Sequence, residues 1–234
     1  MSAKSPVAPR RLSNWPESRQ SIRGLPRGPQ AIDRASVHEA QKVRIYFGLA
    51  ESLAEKGYNA TSVADIISRA RLSRKSFYEM FRDKEDCFLS LYEYAHERLV
   101  EAVLAAQNKS MGWFERLQVS HRAYLRFFVD NPQFTYAVLI EVYAAGPAAL
   151  QRRARYHAQF VAYQWNLYER RRREEPALPH LPHDAFAIVI AGINELVAQW
   201  MRDGRTAELM DLEPLLLRVV AAVHGGPIGL ASGP

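Results

Sequence analysis

Residues 62–86 read SVADIISRARLSRKSFYEMFRDKED. Ser62 and Asp65 form a capping box, in which a hydroxyl and a carboxylate each satisfy a backbone N–H that the first helical turn leaves open. Val63, Ile66, Ile67 and Ala70 follow at i, i+3, i+4 and i+7, one apolar face over two turns. After Arg71 and Leu72, Ser73 can cap a helix in which Phe77 and Phe81 face inward, and Asp83 can cap the next, with Asp86 at its third position. Two short helices joined by a turn, the second exposing basic and polar groups, is the arrangement that lays a helix in the major groove of DNA. With both phenylalanines turned inward, Arg74, Lys75 and Tyr78 lie on the outward face, with Ser76 and Glu79 beside them.

Upstream, Ser36 with Glu39 signals a helix start. Ala40, Val43, Phe47, Ala50 and Ala54 then recur at helical steps, and Gly57 is placed to end that helix. Residues 1–30 hold five prolines, five serines and two glycines with little apolar grouping, a composition that cannot offset the entropy of ordering. Downstream, the 3.6-residue period persists and alternating strand patterns are missing. Helices are expected at roughly 84–107, 113–130, 133–145, 147–174, 183–203 and 212–224, punctuated by Pro132, Gly146-Pro147, the 176–182 stretch and Gly204. The expected fold is all-α with about nine helices. It divides into a basic N-terminal arm (1–36), a three-helix helix-turn-helix domain (37–84), a helical ligand-binding and dimerisation domain (85–225) and a short tail (226–234).

The 234-residue chain carries 31 Lys+Arg against 25 Asp+Glu, and the whole surplus of +6 lies in residues 1–86. Residues 1–36 hold seven basic and two acidic side chains; residues 37–86 hold nine and eight. Positive charge in the folded head is therefore local, running from Arg69 to Lys84, and the arm serves either as a solubilising tail or as a contact to nucleic acid. A single cysteine, Cys87, excludes an internal disulfide and is expected to pack in the core. No Cys/His spacing suits zinc, so neither metal nor cofactor is expected. The longest apolar run, residues 185–193, is half a bilayer span and the N-terminus lacks the apolar core of a signal peptide, so the expectation is a cytoplasmic protein with no membrane partner.

Residues 60–67 (ATSVADII), 72–81 (LSRKSFYEMF) and 82–88 (RDKEDCF) closely resemble the DNA-binding domain of TetR-family transcriptional regulators. Ser73, Phe77, Tyr78, Phe81, Asp83, Lys84 and Glu85 match the family's run S-x-x-x-[FL]-Y-x-x-F-x-[DS]-K-E, and the similarity covers residues 37–90. The family often has glycine in the turn where this chain has Arg71, and a left-handed backbone there would cost an arginine roughly 1 kcal/mol. The resemblance implies that Ser62, Tyr78 and Lys84 meet phosphates while Arg74, Lys75 and Ser76 face base edges. Lys84 also lies in the first turn of a helix, whose N-terminus favours an anion, and Arg74 suits a bidentate guanine contact. For Tyr78 the competing reading is core packing beside Phe77; for Arg69 it is a solvated surface charge.

A two-fold operator requires a two-fold protein. Residues 185–201 are apolar almost all round, and a stripe follows Pro214. The resemblance makes this pair the homodimer interface, through Ile190, Ile193, Leu196, Val197 and Trp200 on the first helix and Leu216, Val219, Val220 and Val223 on the second; burial within one protomer is the alternative. It also implies a small-molecule pocket among the aromatics, for which Trp113, Tyr124, Phe128, Tyr136, Tyr143, Phe160 and Tyr163 are the candidates, with an apolar or aromatic effector. Arg170–Arg173 reads as a solvated helix end. The function expected is a dimeric, sequence-specific regulator of transcription, a repressor released from an inverted-repeat operator in double-stranded DNA by an effector. An all-helical enzyme or ligand carrier with a vestigial helix-turn-helix, or a nucleoid-type DNA binder, are the alternatives, and no nucleophile or acid/base set favours the enzyme.

Overall fold

A computed structural model describes residues 34–226, so the readings of the arm before Arg34 and of residues 227–234 lie outside the described residues. Nine α-helices are present among those residues, with no strand: α1 Arg34–Ala60, α2 Val63–Ala70, α3 Arg74–Met80, α4 Lys84–Ala105, α5 Trp113–Asp130, α6 Pro132–Leu139, α7 Pro147–Glu174, α8 His183–Arg202 and α9 Glu213–Val223. Short 3-10 segments, Glu141–Tyr143 and Thr206–Leu212, precede α7 and α9. Two boundaries differ from expectation. Helix α1 is already running at Arg34, so Ser36 is inside it rather than at its cap. The helix expected over 133–145 stops at Leu139, and a 3-10 turn takes over beside a contact from Glu141 to the end of α1.

The caps act as the sequence requires. Ser62 and Asp65 form the reciprocal box at α2, while Ser73 and Asp83 accept from the backbone N–H groups of Ser76 and Asp86 at α3 and α4. Gly57 breaks α1 with φ 76° and ψ 169°, which a side chain would disfavour. Arg71 is left-handed (φ 53°, ψ 48°), the penalised conformation anticipated at that turn. Leu72 N–H closes onto Ile67 O at 3.1 Å, and the Arg44 guanidinium from α1 donates to the carbonyls of Ala70 and Arg71. Those bonds satisfy carbonyls at the end of α2 and oppose the strain.

Ile45, Leu49, Leu53, Ile66, Phe77 and Phe88 are wholly buried and weld α1–α4 together. Each such side chain contributes about 1.5–3 kcal/mol by leaving water. Gly48 lets α1 and α2 touch, since a Cβ there would lie 2.6 Å from Ile66 O. The core continues without a break into the larger part. Helix α4 enters it through Leu99 and Val103, and Phe47 of α1 meets Phe134 of α6 with ring centroids 4.8 Å apart. Cys87 is fully buried, and burial pushes its thiol far above the ordinary range.

Helix α8 is long and apolar enough by composition to cross a membrane, yet it packs against α6, α7 and α9. Its Ile193 and Val197, with Leu216 and Val220 of α9, are buried within the protomer. These four were expected at a dimer interface; they face the chain's own core because the 3.6-residue turn aims them at α5–α7. The face left open carries Ile188 (74% exposed) and the exposed Ala191 and Gly192, with Leu215 and Val219 on α9. Leu196, Trp200 and Val223 are half-buried between the two.

Candidate nucleic-acid interface and internal cavity

At the head, α3 presents Arg74, Lys75 and Tyr78 outward while Phe77 and Phe81 anchor it. The Arg74 side chain has no hydrogen bond or ion pair among the described residues, and Lys75 stands in solvent 3.9 Å from Glu79. Tyr78 is 51% exposed with its ring edge-on to Phe77 at 5.4 Å, so it shields the core from outside rather than filling it. These three groups are free to meet a polyanion.

The other three named residues are committed to internal partners. The Ser62 backbone N–H and hydroxyl both donate to the Asp65 carboxylate, at 2.8 and 2.6 Å. The Ser76 hydroxyl lies 2.9 Å from that of Ser73. Lys84 Nζ donates to the carbonyls of Tyr58 (2.6 Å) and Thr61 (2.9 Å) and sits 4.2 Å from the centre of the Tyr58 ring. Its ammonium is partly desolvated, which lowers its pKa, and it ties the start of α4 to the end of α1. Lys56 pairs with Asp65 at 2.6 Å, and with the bonds from Ser62 this holds the Asp65 carboxyl well below the usual carboxylate range. Arg69 pairs with Glu55 and, at 3.8 Å, with Glu51, so it braces α2 on α1. Arg44, which closes the turn, carried no distinguishing pattern in the sequence.

The larger part contains a cavity of about 300 Å³, partly open to solvent, among α4, α5, α6, α7 and α8. Of the seven aromatic candidates, Tyr124, Phe128, Phe160 and Tyr163 line it. Trp113 does not: the Arg171 guanidinium stacks 3.7 Å from its ring, and Arg171 is itself buried, donating to His224 O and paired with Glu175. The expected solvated run 170–173 thus contains one buried arginine, held by an aromatic face, a carbonyl and a carboxylate. Tyr136 packs beside Glu141 near the domain junction, and Tyr143 is 53% exposed under Arg153. Ile190 and Ile193, assigned above to a dimer face, line the cavity instead.

Polar groups that the sequence reading passed over complete the wall. Tyr124 donates its hydroxyl proton to Asn194 Oδ1, and Asn194 Nδ2 donates to His157 Nε2 at 2.8 Å. His121 Nδ1 donates to Leu117 O at 2.7 Å, and His96 Nε2 donates to Gln159 Oε1 at 3.0 Å. Burial lowers the pKa of all three histidines, His157 to about 4 with help from Arg153, so they are neutral near pH 7. Asn194 gave one usable signal, a polar side chain inside an otherwise apolar helix; the histidines gave none, because a histidine on a helix reads alike in core or cavity.

One contact joins cavity to head. The Glu141 carboxylate accepts the Tyr58 backbone N–H at 2.6 Å, one residue past the Gly57 break. Glu141 follows α6, whose Val138 and Leu139 line the cavity, and Tyr58 precedes the cap of α2.

Residues 48–91 match the family profile of bacterial regulatory proteins, tetR family. The transcriptional regulator AcuR of Cereibacter sphaeroides is 44% identical over 71 residues, 30% of each chain, so the matched stretch spans under a third of that relative's length. The fold resembles the fatty acid degradation regulator FadR from Bacillus halodurans (TM-score 0.69, 16% identity, 77% of this chain and 94% of that one). It also resembles FadR from Bacillus subtilis in complex with stearoyl-CoA (TM-score 0.68, 17% identity, 76% and 96%). At such identities the structural likeness is one of fold, whereas the sequence match falls on the helices that carry Arg74, Lys75 and Tyr78. Residues 48–91, the stretch that carries the reading helix, are thus similar to the tetR family of bacterial regulatory proteins.

Proposed function

We propose that this protein is a dimeric, sequence-specific DNA-binding regulator of transcription, acting as a repressor that a small molecule in the 300 Å³ cavity releases from an inverted-repeat operator. The observation that carries the reading is the pairing of an exposed, unpartnered Arg74 on a capped seven-residue helix with a largely apolar cavity in the same chain. Arg74 and Lys75 read base edges, and Tyr78 meets the backbone. Ser62, Ser76 and Lys84 hold the reading helices in place, and Lys84 keeps one N–H for a phosphate. The second copy docks on the open face of α8 and α9, around Ile188, Gly192, Leu215 and Val219. Exposed apolar side chains grouped on two adjacent helices, beside a glycine with nothing within 4 Å of its Cβ position, support that choice.

Coupling runs along α6. A ligand pressing on Val138 and Leu139 moves Glu141, and through the Tyr58 N–H the Gly57 hinge and the start of α2. A mobility shift with DNA from upstream of the protein's own coding sequence, against scrambled DNA of equal length, tests the reading. Preference for the upstream DNA is expected; equal affinity for both at 150 mM salt would leave only a non-specific binder. Sedimentation of the Ile188→Glu variant tests the dimer face, with a shift toward monomer expected and an unchanged dimer refuting the placement.

A further inference from the structure

The cavity wall has a chemical character narrower than its shape. Among the described residues that line it, none is Asp, Glu, Lys or Arg. Its bulk is aromatic and aliphatic, with Tyr92, Phe127, Phe128, Tyr156 and Phe160 prominent. Most polar groups on the wall are already spent on the protein. The Ser120 hydroxyl donates to Arg116 O (2.6 Å) and accepts from Gln107 (2.9 Å), Tyr163 donates to Gln107 (2.9 Å), Tyr124 donates to Asn194, and Asn194 donates to His157.

His121 differs. It is 5% exposed, and its Nδ1 proton goes to a backbone carbonyl, which accepts only, so the tautomer is fixed and Nε2 is a bare lone pair. Nε2 has no partner among the described residues. An acceptor left unpaired on a cavity wall is one that a ligand donor can satisfy.

We infer that the cavity takes an uncharged, largely apolar molecule bearing one hydroxyl, which donates its proton to Nε2 of His121, and that it rejects the matching carboxylate. This rests on reading the cavity as the effector site. A carboxylate offers no proton to Nε2 and would enter a wall without a cation, so it must lose its hydration or force a proton onto an imidazole. For His157, held to about 4, taking up that proton at pH 7 alone weakens binding about a thousandfold. A hydroxyl avoids both costs.

The test is calorimetric titration of the full chain at pH 7.5 with naphthalene, 2-naphthol and 2-naphthoate, and with 1-decanol and decanoate as a flexible pair. In at least one pair the alcohol is expected to bind at least a hundredfold more tightly than the carboxylate. Naphthalene should bind roughly fivefold to tenfold more weakly than 2-naphthol, the worth of one hydrogen bond. A carboxylate that binds as tightly as its alcohol overturns the inference, and so does failure of every uncharged probe to bind. The His121→Phe variant, checked for folding by thermal melting, should lose the advantage of 2-naphthol over naphthalene; an advantage that persists refutes the role of Nε2. The same probes added to the mobility shift separate the two readings. Release of upstream DNA by a carboxylate and not by an alcohol removes the ligand class but leaves the regulator, whereas no specific DNA binding in any condition removes the regulator itself.

Discussion

The Glu141–Tyr58 contact gives a direct handle on how the two parts of the chain communicate. Glu141→Ala deletes a carboxylate that accepts the Tyr58 N–H at 2.6 Å, at the point where Gly57 breaks α1. A hydrogen bond to a charged acceptor contributes about 1.5–3 kcal/mol, and since Glu141 is only half-buried the lower end, about 1.5 kcal/mol, applies. For a chain of this size each kcal/mol moves Tm by about 2–4 °C, so calorimetry should show a drop of about 3–6 °C. Glu141→Gln keeps an oxygen acceptor without the charge and should lose about half as much. The functional consequence is separable from the structural one. In the alanine variant, DNA affinity without ligand should fall only modestly, while the ligand-induced loss of affinity shrinks, because α6 no longer pulls on the hinge. A melting temperature within 1 °C of the parent, or an undiminished ligand response, would refute the strut.

Other consequences follow from the same geometry. Arg74→Ala should weaken binding to operator far more than to scrambled DNA, leaving Tm unchanged, whereas Lys84→Ala should weaken both and also lower Tm, because Nζ holds the Tyr58 and Thr61 carbonyls; a Lys84 variant with unaltered Tm would dismiss that tie. Gly48→Ala replaces a poor helix former with the best one, normally a gain of about 1 kcal/mol, yet the new Cβ would lie 2.6 Å from Ile66 O, so a net loss of about 1–3 kcal/mol in denaturant titration is expected, and a more stable variant would contradict the packing of α1 on α2. His224 is fully buried, and burial, with His121 and Arg171 nearby, holds it at about 4 against about 6.5 in the unfolded chain. Its stabilising contribution is therefore complete above about pH 6.5 and lost as pH falls toward 4, about 2 kcal/mol by pH 5. The parent should lose that much more stability between pH 7 and 5 than His224→Gln, and equal losses would count against it.

The helix-turn-helix was legible because its determinants are local. Ser62, Ser73 and Asp83 satisfy open N–H groups three residues away, and Phe77 and Phe81 are one helical turn apart, so spacing alone carried the caps and the inward face. The strain at Arg71 was legible only through the resemblance, because the family often has glycine at that turn. The cavity was legible only in part. Spacing shows that Tyr124, Phe128, Phe160 and Tyr163 occupy helical faces, but it shows equally that Trp113, Tyr136 and Tyr143 do, and no local rule separates a ring that lines a space from one that stacks on Arg171 or lies in solvent.

Sequence by itself determined the class of fold, the order of helices, the caps of α2, α3 and α4, and the outward set Arg74, Lys75 and Tyr78, since each depends on residues within a turn or two of one another. Tertiary structure decided everything that depends on distance in space between residues remote in sequence. Lys84 is anchored 26 positions back on Tyr58, Asn194 joins Tyr124 to His157 across three helices, and Glu141 reaches Tyr58 from 83 positions away. It also decided which side of α8 is core, because a helix apolar all round presents no face until its neighbours are in place. The physical reason is that helical periodicity fixes a side chain's angle about its own axis, while burial, pairing and protonation are set by whatever the other helices bring to that angle.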